Sequence, residues 1–188
     1  RRVLFRSVGV WRHADARVRG MKRVQVEPHL SITGACSAEW VPIKPKTDAA
    51  FLFGLIHHII HGKGWANACD VPYLKNRTSS PYLVGPNGWY MRDPASGKPL
   101  VWDLADKRAK PHDDPTLKDP ALDGHYAVEG VEHGPDGERI AHRGMPVPSD
   151  GAVSSPAFQK LLDHMAKYTP EWAAGECDVP AATIRRVA

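Results

Sequence analysis

The sequence predicts an α/β fold, in which strands and helices alternate along the chain and share a core. A strand pattern at 21–27 is followed by a loop, a second strand pattern at 40–43 and a strongly apolar helix that begins near Thr47. Between 78 and 154, Pro and Gly become frequent and short β-like runs replace helical periodicity. Helical periodicity then returns and continues to the last residue. These three observations indicate an α/β body that carries an irregular insertion.

The composition is that of a folded domain. The chain has 188 residues, of which 42% are hydrophobic and 24% are charged, and these values argue against disorder. No apolar stretch approaches the roughly 20 residues that a bilayer crossing requires, so a direct membrane span is not expected. The net charge of +4 is scattered, without a motif that mixes aromatic and basic residues. Nucleic acid is therefore not an expected partner.

The first segment, 8–76, is predicted to be a partial α/β domain. A short helix at 14–19 ends at Gly20, and Pro28 ends the strand that follows it. The helix at 47–61 begins with Thr47 as its N-cap and carries apolar residues at helical spacing, which predicts that it is largely buried. A further helix is expected over 66–76.

The second segment, 77–154, is predicted to be an irregular β and loop insertion. Candidate strands lie at 82–84, 89–92, 100–103, 126–131 and 138–142, with turn motifs at 86–88, 95–97 and 135–137. The apolar content is too low for an independent sandwich. Aromatic residues of this segment can line a substrate funnel or form a small core, and we favour the core. They are Tyr82, Trp89, Tyr90, Trp102 and Tyr126.

The third segment, 155–188, is predicted to be helical and to lead into the next part of the α/β body. Ser155 is expected to cap a helix whose first position is Pro156, and Thr169 with Pro170 repeats this arrangement. A third helix follows Pro180. Because the chain opens with Arg1 and stops within this helix, we expect an internal fragment, in which 1–7 need not be native sequence.

Candidate binding residues lie where the predicted strands end, which is where ligands bind in α/β proteins. Glu27 ends the first strand and can accept hydrogen bonds from a ribose or a guanine edge, and Ser31 in the following loop can donate to phosphate. Lys46, Thr47 and Asp48 form a second junction, where backbone N–H groups and the helix dipole favour an anion. The alternative is that Glu27 is an exposed strand end, and that Thr47 and Asp48 only cap the helix.

Cysteine and histidine patterns suggest no strong metal site. Cys36, Cys69 and Cys177 are far apart and form no CxxC motif, so this chain alone cannot build a zinc ribbon or an iron–sulfur cluster. They fit buried thiols, without excluding one disulfide. His57 and His61 share a helix face, which permits a zinc-binding helix protein as a hypothesis. No carboxylate completes such a site, and a favourable interaction with the helix dipole is the preferred interpretation.

Three ordered segments carry a family resemblance. Residues 14–31, ADARVRGMKRVQVEPHLS, resemble the ADAR-x-RG-x-K-x-V-x-V-(D/E)-P-(R/H)-x-(S/T) segment of the dimethyl-sulfoxide-reductase-type molybdoenzymes. Residues 38–50, AEWVPIKPKTDAA, are similar to that family's A-(D/E)-x-W-x-P-I-(R/K)-P-G-T-D-A-A segment. Residues 177–188, CDVPAATIRRVA, resemble its tGVPA-x-TIR-x-(I/L)A segment. The family usually has Gly where this chain has Lys46, which either adds a phosphate contact or changes the geometry of the loop.

The resemblance implies a cofactor, Mo-bis(molybdopterin guanine dinucleotide), in which two pterins surround one molybdenum or tungsten. It also implies that the two junctions belong to a Rossmann-like nucleotide-binding domain that holds the guanine end of one pterin. The contact residues implied in this way are Glu27, Pro28, His29 and Ser31 in the first junction and Lys46, Thr47 and Asp48 in the second.

The resemblance further implies an oxidoreductase of anaerobic respiration. In the family, the metal-ligating residue and the cysteines of a 4Fe-4S cluster lie N-terminal to this segment, so the fragment is not expected to be active alone. The implied partners are a membrane-anchor subunit together with an iron–sulfur electron-transfer subunit. Residues 70–75 and 80–84 are similar to the branch of phenylacetyl-CoA:acceptor, thiosulfate and tetrathionate oxidoreductases, and the first type is favoured. A non-catalytic nucleotide-binding α/β module is the alternative.

Overall fold

The computed structural model describes residues 9–133, 139–142 and 154–188. The chain divides into a first unit, made of Arg1–His58 and Tyr168–Ala188, and a second unit, Ile59–Lys167. The sequence placed its segment boundaries elsewhere, at 76/77 and 154/155. The first unit combines both ends of the chain because the last two helices pack on the apolar helix that precedes His58.

The described residues form mostly short helices and strands. In chain order, they are α1 (Gly9–Val18), β1 (Val24–Val26), α2 (Ile32–Ala35), β2 (Glu39–Val41), α3 (Asp48–His57), a π-helical turn (His58–Gly62), α4 (Trp65–Ala68), α5 (Val71–Arg77), β3 (Leu83–Val84), β4 (Met91–Arg92), β5 (Leu100–Asp103), β6 (Arg108–Pro111), β7 (Gly130–His133), β8 (Arg139–His142), β9 (Ser155–Pro156), α6 (Ala157–Met165), α7 (Pro170–Cys177) and α8 (Ala181–Val187). None of these described helices has the length and apolar character needed to cross a bilayer.

The first unit contains two parallel strands. β1 pairs with β2, with Val24 opposite Glu39 and Val26 opposite Val41. The short helix α2 lies between them in the chain, within the stretch that the sequence predicted to be a loop. Ser31 caps α2, because its Oγ accepts a hydrogen bond from the backbone N–H of Gly34 at 3.2 Å. A β-α-β arrangement of this kind is compatible with the Rossmann-like assignment, which stays a prediction.

Helices α3, α7 and α8 form the core of the first unit together with the end of β2. The buried side chains of this cluster are Val41, Ile43, Phe51, Ala173, Cys177, Val179 and Ile184. Only one face of α3 is buried here, since Leu52 is 53% and Ile56 is 36% exposed. The prediction that this helix is largely buried is therefore wrong for the face that carries Leu52 and Ile56.

The second unit is built from small antiparallel sheets. β5 and β6 form a hairpin, β7 lies between β4 and β8, and β3 pairs with β9. Strands occur within the predicted runs 82–84, 89–92 and 100–103, whereas β6 and β9 were not predicted. β7 begins at Gly130, near the end of the predicted run 126–131, and β8 occupies 139–142 of the run 138–142. The predicted turn at 135–137 lies outside the described residues.

Of two predicted helix starts, one is wrong and the other is confirmed. Ser155 does not cap α6, because Ser155–Pro156 pairs as β9 with Leu83 and Val84, and the helix begins at Ala157. Thr169 does cap α7, since its side chain accepts from the backbone N–H of Trp172 at 3.1 Å. The two sites differ because Ser155 pairs with strand β3, which is distant in sequence, whereas Thr169 is not part of a described strand.

The aromatic residues of the insertion belong partly to its core. Trp102 and Tyr126 stack with their ring centroids 4.6 Å apart, and both pack against the buried cluster of Leu83, Met91 and Leu100. Tyr82 and Tyr90 meet edge to face at 5.7 Å. Trp89 and Tyr90 are exposed. The core interpretation is therefore confirmed for Trp102 and Tyr126.

Candidate functional site: two junctions beyond a parallel strand pair

The first junction begins with a buried carboxylate. Glu27 directly follows β1 and is only 8% exposed. Its Oε1 accepts hydrogen bonds from the backbone N–H of Ser31 at 2.8 Å and from the Ser31 hydroxyl at 2.6 Å. The alternative that Glu27 is an exposed strand end is therefore wrong.

Three residues around Glu27 were not predicted from the sequence. Gln25 places its Nε2 at 3.4 Å from Glu27 Oε2, and the indole N–H of Trp40 donates to the Glu27 carbonyl at 3.0 Å. A Cβ on Gly34 would lie 2.6 Å from Glu27 Oε1. No short sequence pattern links these positions, because Trp40 belongs to the neighbouring strand. Pro28 and His29 lie on the exposed side of the same loop.

The second junction contains a residue in the left-handed region. Lys46 has a φ of 68°, a conformation that L side chains rarely adopt and that glycine adopts readily. This is the position at which the family resemblance expects Gly. The chain therefore has the backbone geometry that glycine favours, with an exposed lysine side chain in place of a hydrogen.

We expect the Lys46→Gly variant to be more stable than the native chain by about 1 kcal/mol, because glycine removes the contact between Cβ and the following carbonyl. Thermal denaturation of the full 188-residue chain measures this change. Lys44→Gly is the matched control, since Lys44 is also an exposed lysine but is not among the left-handed residues. A lower melting temperature for Lys46→Gly than for Lys44→Gly would contradict the expectation.

Thr47 stands at the N-cap position of α3 but does not cap it with its side chain. Its hydroxyl donates instead to the carbonyl of Lys44 at 2.7 Å, which closes the loop around Lys46. The predicted capping role of the Thr47 side chain is therefore wrong. Asp48 is the first residue of α3, and its carboxylate is exposed. Among the described residues, none forms a hydrogen bond or an ion pair with that carboxylate.

The two junctions follow the carboxyl ends of neighbouring strands. The backbone N–H of Glu27 donates to the Val41 carbonyl at 3.2 Å, so the ends of β1 and β2 lie side by side. Within the described residues, hydrogen bonds join Glu27 to Ser31 in the first junction and Thr47 to Lys44 in the second. The arrangement offers hydroxyl and amide donors, a lysine and a carboxylate beyond the ends of one parallel pair.

An ion pair joins the second strand to the last helix. Both carboxylate oxygens of Glu39 accept hydrogen bonds from the guanidinium group of Arg186. These hydrogen bonds hold the pKa of Glu39 below its ordinary value, although burial acts in the opposite direction. The backbone N–H of Lys44 donates to the Cys177 carbonyl at 3.0 Å, which ties the second junction to the end of α7.

The histidines and cysteines were also candidates for chemistry. Across 9–133, 139–142 and 154–188, no group of three or more His, Cys, Asp or Glu side chains could hold a metal ion. His61 places its Nε2 at 3.0 Å from the Leu162 carbonyl. Of the three free cysteines, Cys177 is buried, whereas Cys36 is exposed, so the buried-thiol interpretation does not hold for Cys36.

The second unit contains an open cavity of about 400 Å³. The two long polar side chains in its wall are those of Tyr90 and Lys160. The remaining lining residues are Val84, Gly85, Pro86, Gly88 and Ala157.

Comparison with known proteins gives relatives of one kind. The chain is 34% identical over 178 residues to the A subunit of sulfite dehydrogenase from Allochromatium vinosum, a match that covers 90% of this chain and 16% of that protein. It is 25% identical to the alpha subunit of chlorate reductase from Ideonella dechloratans, over 93% of this chain and 18% of that protein. A shorter match, 38% identical over 58 residues, is to the A subunit of selenate reductase from Mesobacillus selenatarsenatis, and covers 31% of this chain and 5% of that protein. No protein-family model matches the chain.

These relatives and the three sequence segments agree on one class of protein: the chain is similar to a segment of the catalytic subunits of molybdopterin-dependent oxidoreductases. The chain is thus similar to the dimethyl sulfoxide reductase family of molybdoenzymes, to which these relatives belong. It spans less than a fifth of the length of the two curated relatives that match most of it, at 16% and 18%. The names of these relatives are those of a dehydrogenase and of reductases, and they give no support to a non-catalytic module.

Proposed function

We propose that the first unit holds the guanine nucleotide end of one molybdopterin guanine dinucleotide in the catalytic subunit of a molybdenum or tungsten oxidoreductase. The observation that carries this proposal is the exposed carboxylate of Asp48 at the start of the ten-residue helix α3, beyond the end of a strand whose parallel neighbour ends just before Glu27. Ligands of parallel α/β sheets bind at this edge. The parallel pairing of β1 and β2 also supports the Rossmann-like assignment.

The residues of the second junction suit a guanine nucleotide. A carboxylate accepts the paired N1–H and N2–H donors of guanine, and Asp48 is exposed and has no partner among the described residues. The exposed ammonium group of Lys46 and the first N–H groups of α3 suit a phosphate. When bound, the molybdenum–pterin group supplies two-electron or oxygen-atom transfer, while the residues of this chain bind and orient its nucleotide.

We expect Asp48→Ala in the intact parent enzyme to weaken binding of the guanine nucleotide roughly 10- to 100-fold, because a charged acceptor of two hydrogen bonds is lost. The measurement is the amount of guanine nucleotide released per enzyme by acid, together with its molybdenum content. Glu171→Ala is the control, since Glu171 is an acidic residue in the first turn of α7 and pairs with Arg185. Full guanine and molybdenum content in Asp48→Ala would refute the assignment.

The complete enzyme is proposed to contain further redox groups and subunits. A 4Fe-4S cluster would be held by cysteines that lie N-terminal to this segment in the family. The proposed partners are a membrane-anchor subunit together with an iron–sulfur electron-transfer subunit, and the subunit designations in the names of the relatives fit a multi-subunit complex. Iron analysis and subunit composition of the purified native complex test this part of the proposal.

Two substrate classes follow from different observations. The resemblance of 70–75 and 80–84 supports an enzyme of the phenylacetyl-CoA:acceptor type. The names of the relatives, a sulfite dehydrogenase and chlorate and selenate reductases, support a small oxyanion as the second candidate. Steady-state assays of the intact enzyme with phenylacetyl-CoA and with each oxyanion, using a redox dye as the electron partner, distinguish the two classes.

A further inference from the structure

We infer that Glu27 is a positioning residue, which holds the loop after β1 in its binding shape and does not itself contact the nucleotide. This inference rests on the proposed function, and it changes the role that the family resemblance gives to Glu27. A residue that contacts a ligand directly must present acceptor atoms to it. The structure instead directs those atoms into the protein.

The carboxylate of Glu27 is occupied by its own loop. Oε1 accepts both the backbone N–H and the hydroxyl of Ser31, at 2.8 and 2.6 Å, and Oε2 lies 3.4 Å from the side-chain amide of Gln25. With 8% of its surface exposed, the side chain offers little area to a ligand. With Oε1 already accepting two hydrogen bonds, a ribose hydroxyl would have to bind at Oε2, on a side chain that is almost entirely buried.

The contacts continue from Glu27 into helix α2. The Ser31 hydroxyl that donates to Glu27 also accepts from the N–H of Gly34 and thereby caps the helix. Gly34 packs so closely that a Cβ there would lie 2.6 Å from Glu27 Oε1 and 3.0 Å from Leu30 Cδ1. The carboxylate therefore fixes both the loop 28–31 and the first turn of α2 through Ser31.

The far end of the same helix is held independently. The guanidinium group of Arg23 donates to the Thr33 carbonyl at 2.8 Å and to the Ser37 hydroxyl at 3.0 Å. Because α2 is tied to β1 at both ends, removal of the Glu27 carboxylate should loosen the loop without detaching the helix. The exposed residues 28–30 would then lose their fixed conformation, and nucleotide affinity would fall although no direct contact had been removed.

A double-mutant cycle tests this inference. The probe is guanosine diphosphate, titrated by calorimetry into the intact catalytic subunit prepared without its molybdenum cofactor. For Glu27→Ala, Ser31→Ala and the double variant, a positioning role predicts the same loss of affinity, about tenfold in each case, because both residues belong to one interaction. Glu27→Gln keeps an acceptor for Ser31 and should bind within about threefold of the native protein.

The outcomes separate the inference from the proposed function. If the native subunit does not bind guanosine diphosphate, the proposed function fails and the inference fails with it. If the native subunit binds but the losses from the two single variants multiply to about a hundredfold in the double variant, Glu27 contacts the nucleotide and only the inference fails. Unchanged affinity in Glu27→Ala, or a tenfold loss in Glu27→Gln, overturns it as well. Thermal denaturation of each variant identifies any loss of binding that comes from unfolding.

Discussion

Replacement of Asp103 by alanine is expected to lower the free energy of unfolding by about 3–5 kcal/mol, because it removes a buried carboxylate from Lys110, which keeps only Asp106 as an ionic partner, and leaves three backbone N–H groups without their acceptor. The side chains of Asp103 and Lys110 are 0% and 2% exposed, and Lys110 Nζ lies 2.7 Å from Asp103 Oδ2. The Asp103 carboxylate also accepts from the backbone N–H groups of Ala105, Lys118 and Asp119. This carboxylate therefore links the β5–β6 hairpin to the loop at 116–119, to which Lys110 Nζ also donates through the Thr116 carbonyl at 2.7 Å.

Urea denaturation of the full chain, followed by tryptophan fluorescence, measures the loss. The control is Asp113→Ala, since Asp113 forms an ion pair with Lys98 in which both side chains are almost half exposed, at 46% and 49%. Exposed pairs of this kind contribute little, so the control should leave the denaturation midpoint unchanged. Equal midpoints for Asp103→Ala and Asp113→Ala would show that the buried pair does not stabilise the second unit.

The contribution of Asp103 should also depend on pH in a defined direction. Burial raises the pKa of Asp103, but the hydrogen bonds from Lys110 and from the backbone outweigh it, so that the pKa in the folded chain lies below the ordinary value. In the unfolded chain this pKa is about 3.9. The stabilisation is therefore complete above about pH 4 and is lost as the pH falls through the lower, folded pKa. The difference in urea midpoint between the native chain and Asp103→Asn should shrink between pH 5 and strongly acidic pH.

The second large effect is expected at the crossing of α3 with α7 and α8. Gly54 is buried, and a Cβ at this position would lie 2.7 Å from the Cβ of Ala173 and 3.2 Å from Cγ2 of Ile184. Both neighbours are themselves 0% exposed and have no room to move away. We expect Gly54→Ala to destabilise the first unit by about 2 kcal/mol, although alanine gains about 1 kcal/mol in helix propensity over glycine.

Gly175→Ala provides the matched control. Gly175 also lies within a helix, α7, but a Cβ there would meet nothing within 4 Å. The same substitution should therefore raise stability by up to about 1 kcal/mol, since only the propensity term remains. Chemical denaturation of both variants gives two changes of opposite sign. A stabilising effect at Gly54 would mean that the helices do not approach as closely as the structure shows.

The sequence predicted the elements whose stability is local. Thr169 with Pro170 indicated the start of α7, the 100–103 run indicated β5, and the apolar spacing after Thr47 indicated α3, because capping and periodicity involve residues a few positions apart. The positions of Glu27 and Asp48 at strand and helix ends were predicted in the same way. The family was also readable from short ordered segments, and the relatives confirm it.

Other features depend on residues that are distant in sequence. Ser155 is a strand residue because Val84 pairs with it, and Leu52 is exposed because α7 and α8 pack on the opposite face of its helix. Glu27 is buried because Ser31 and Gly34 fold back over its carboxylate. The local pattern thus indicated the family resemblance and several of the elements, whereas only the tertiary structure decided which polar groups are exposed and which are buried in the protein. The physical reason is that burial and hydrogen-bond partners are set by packing between elements, which no local period encodes.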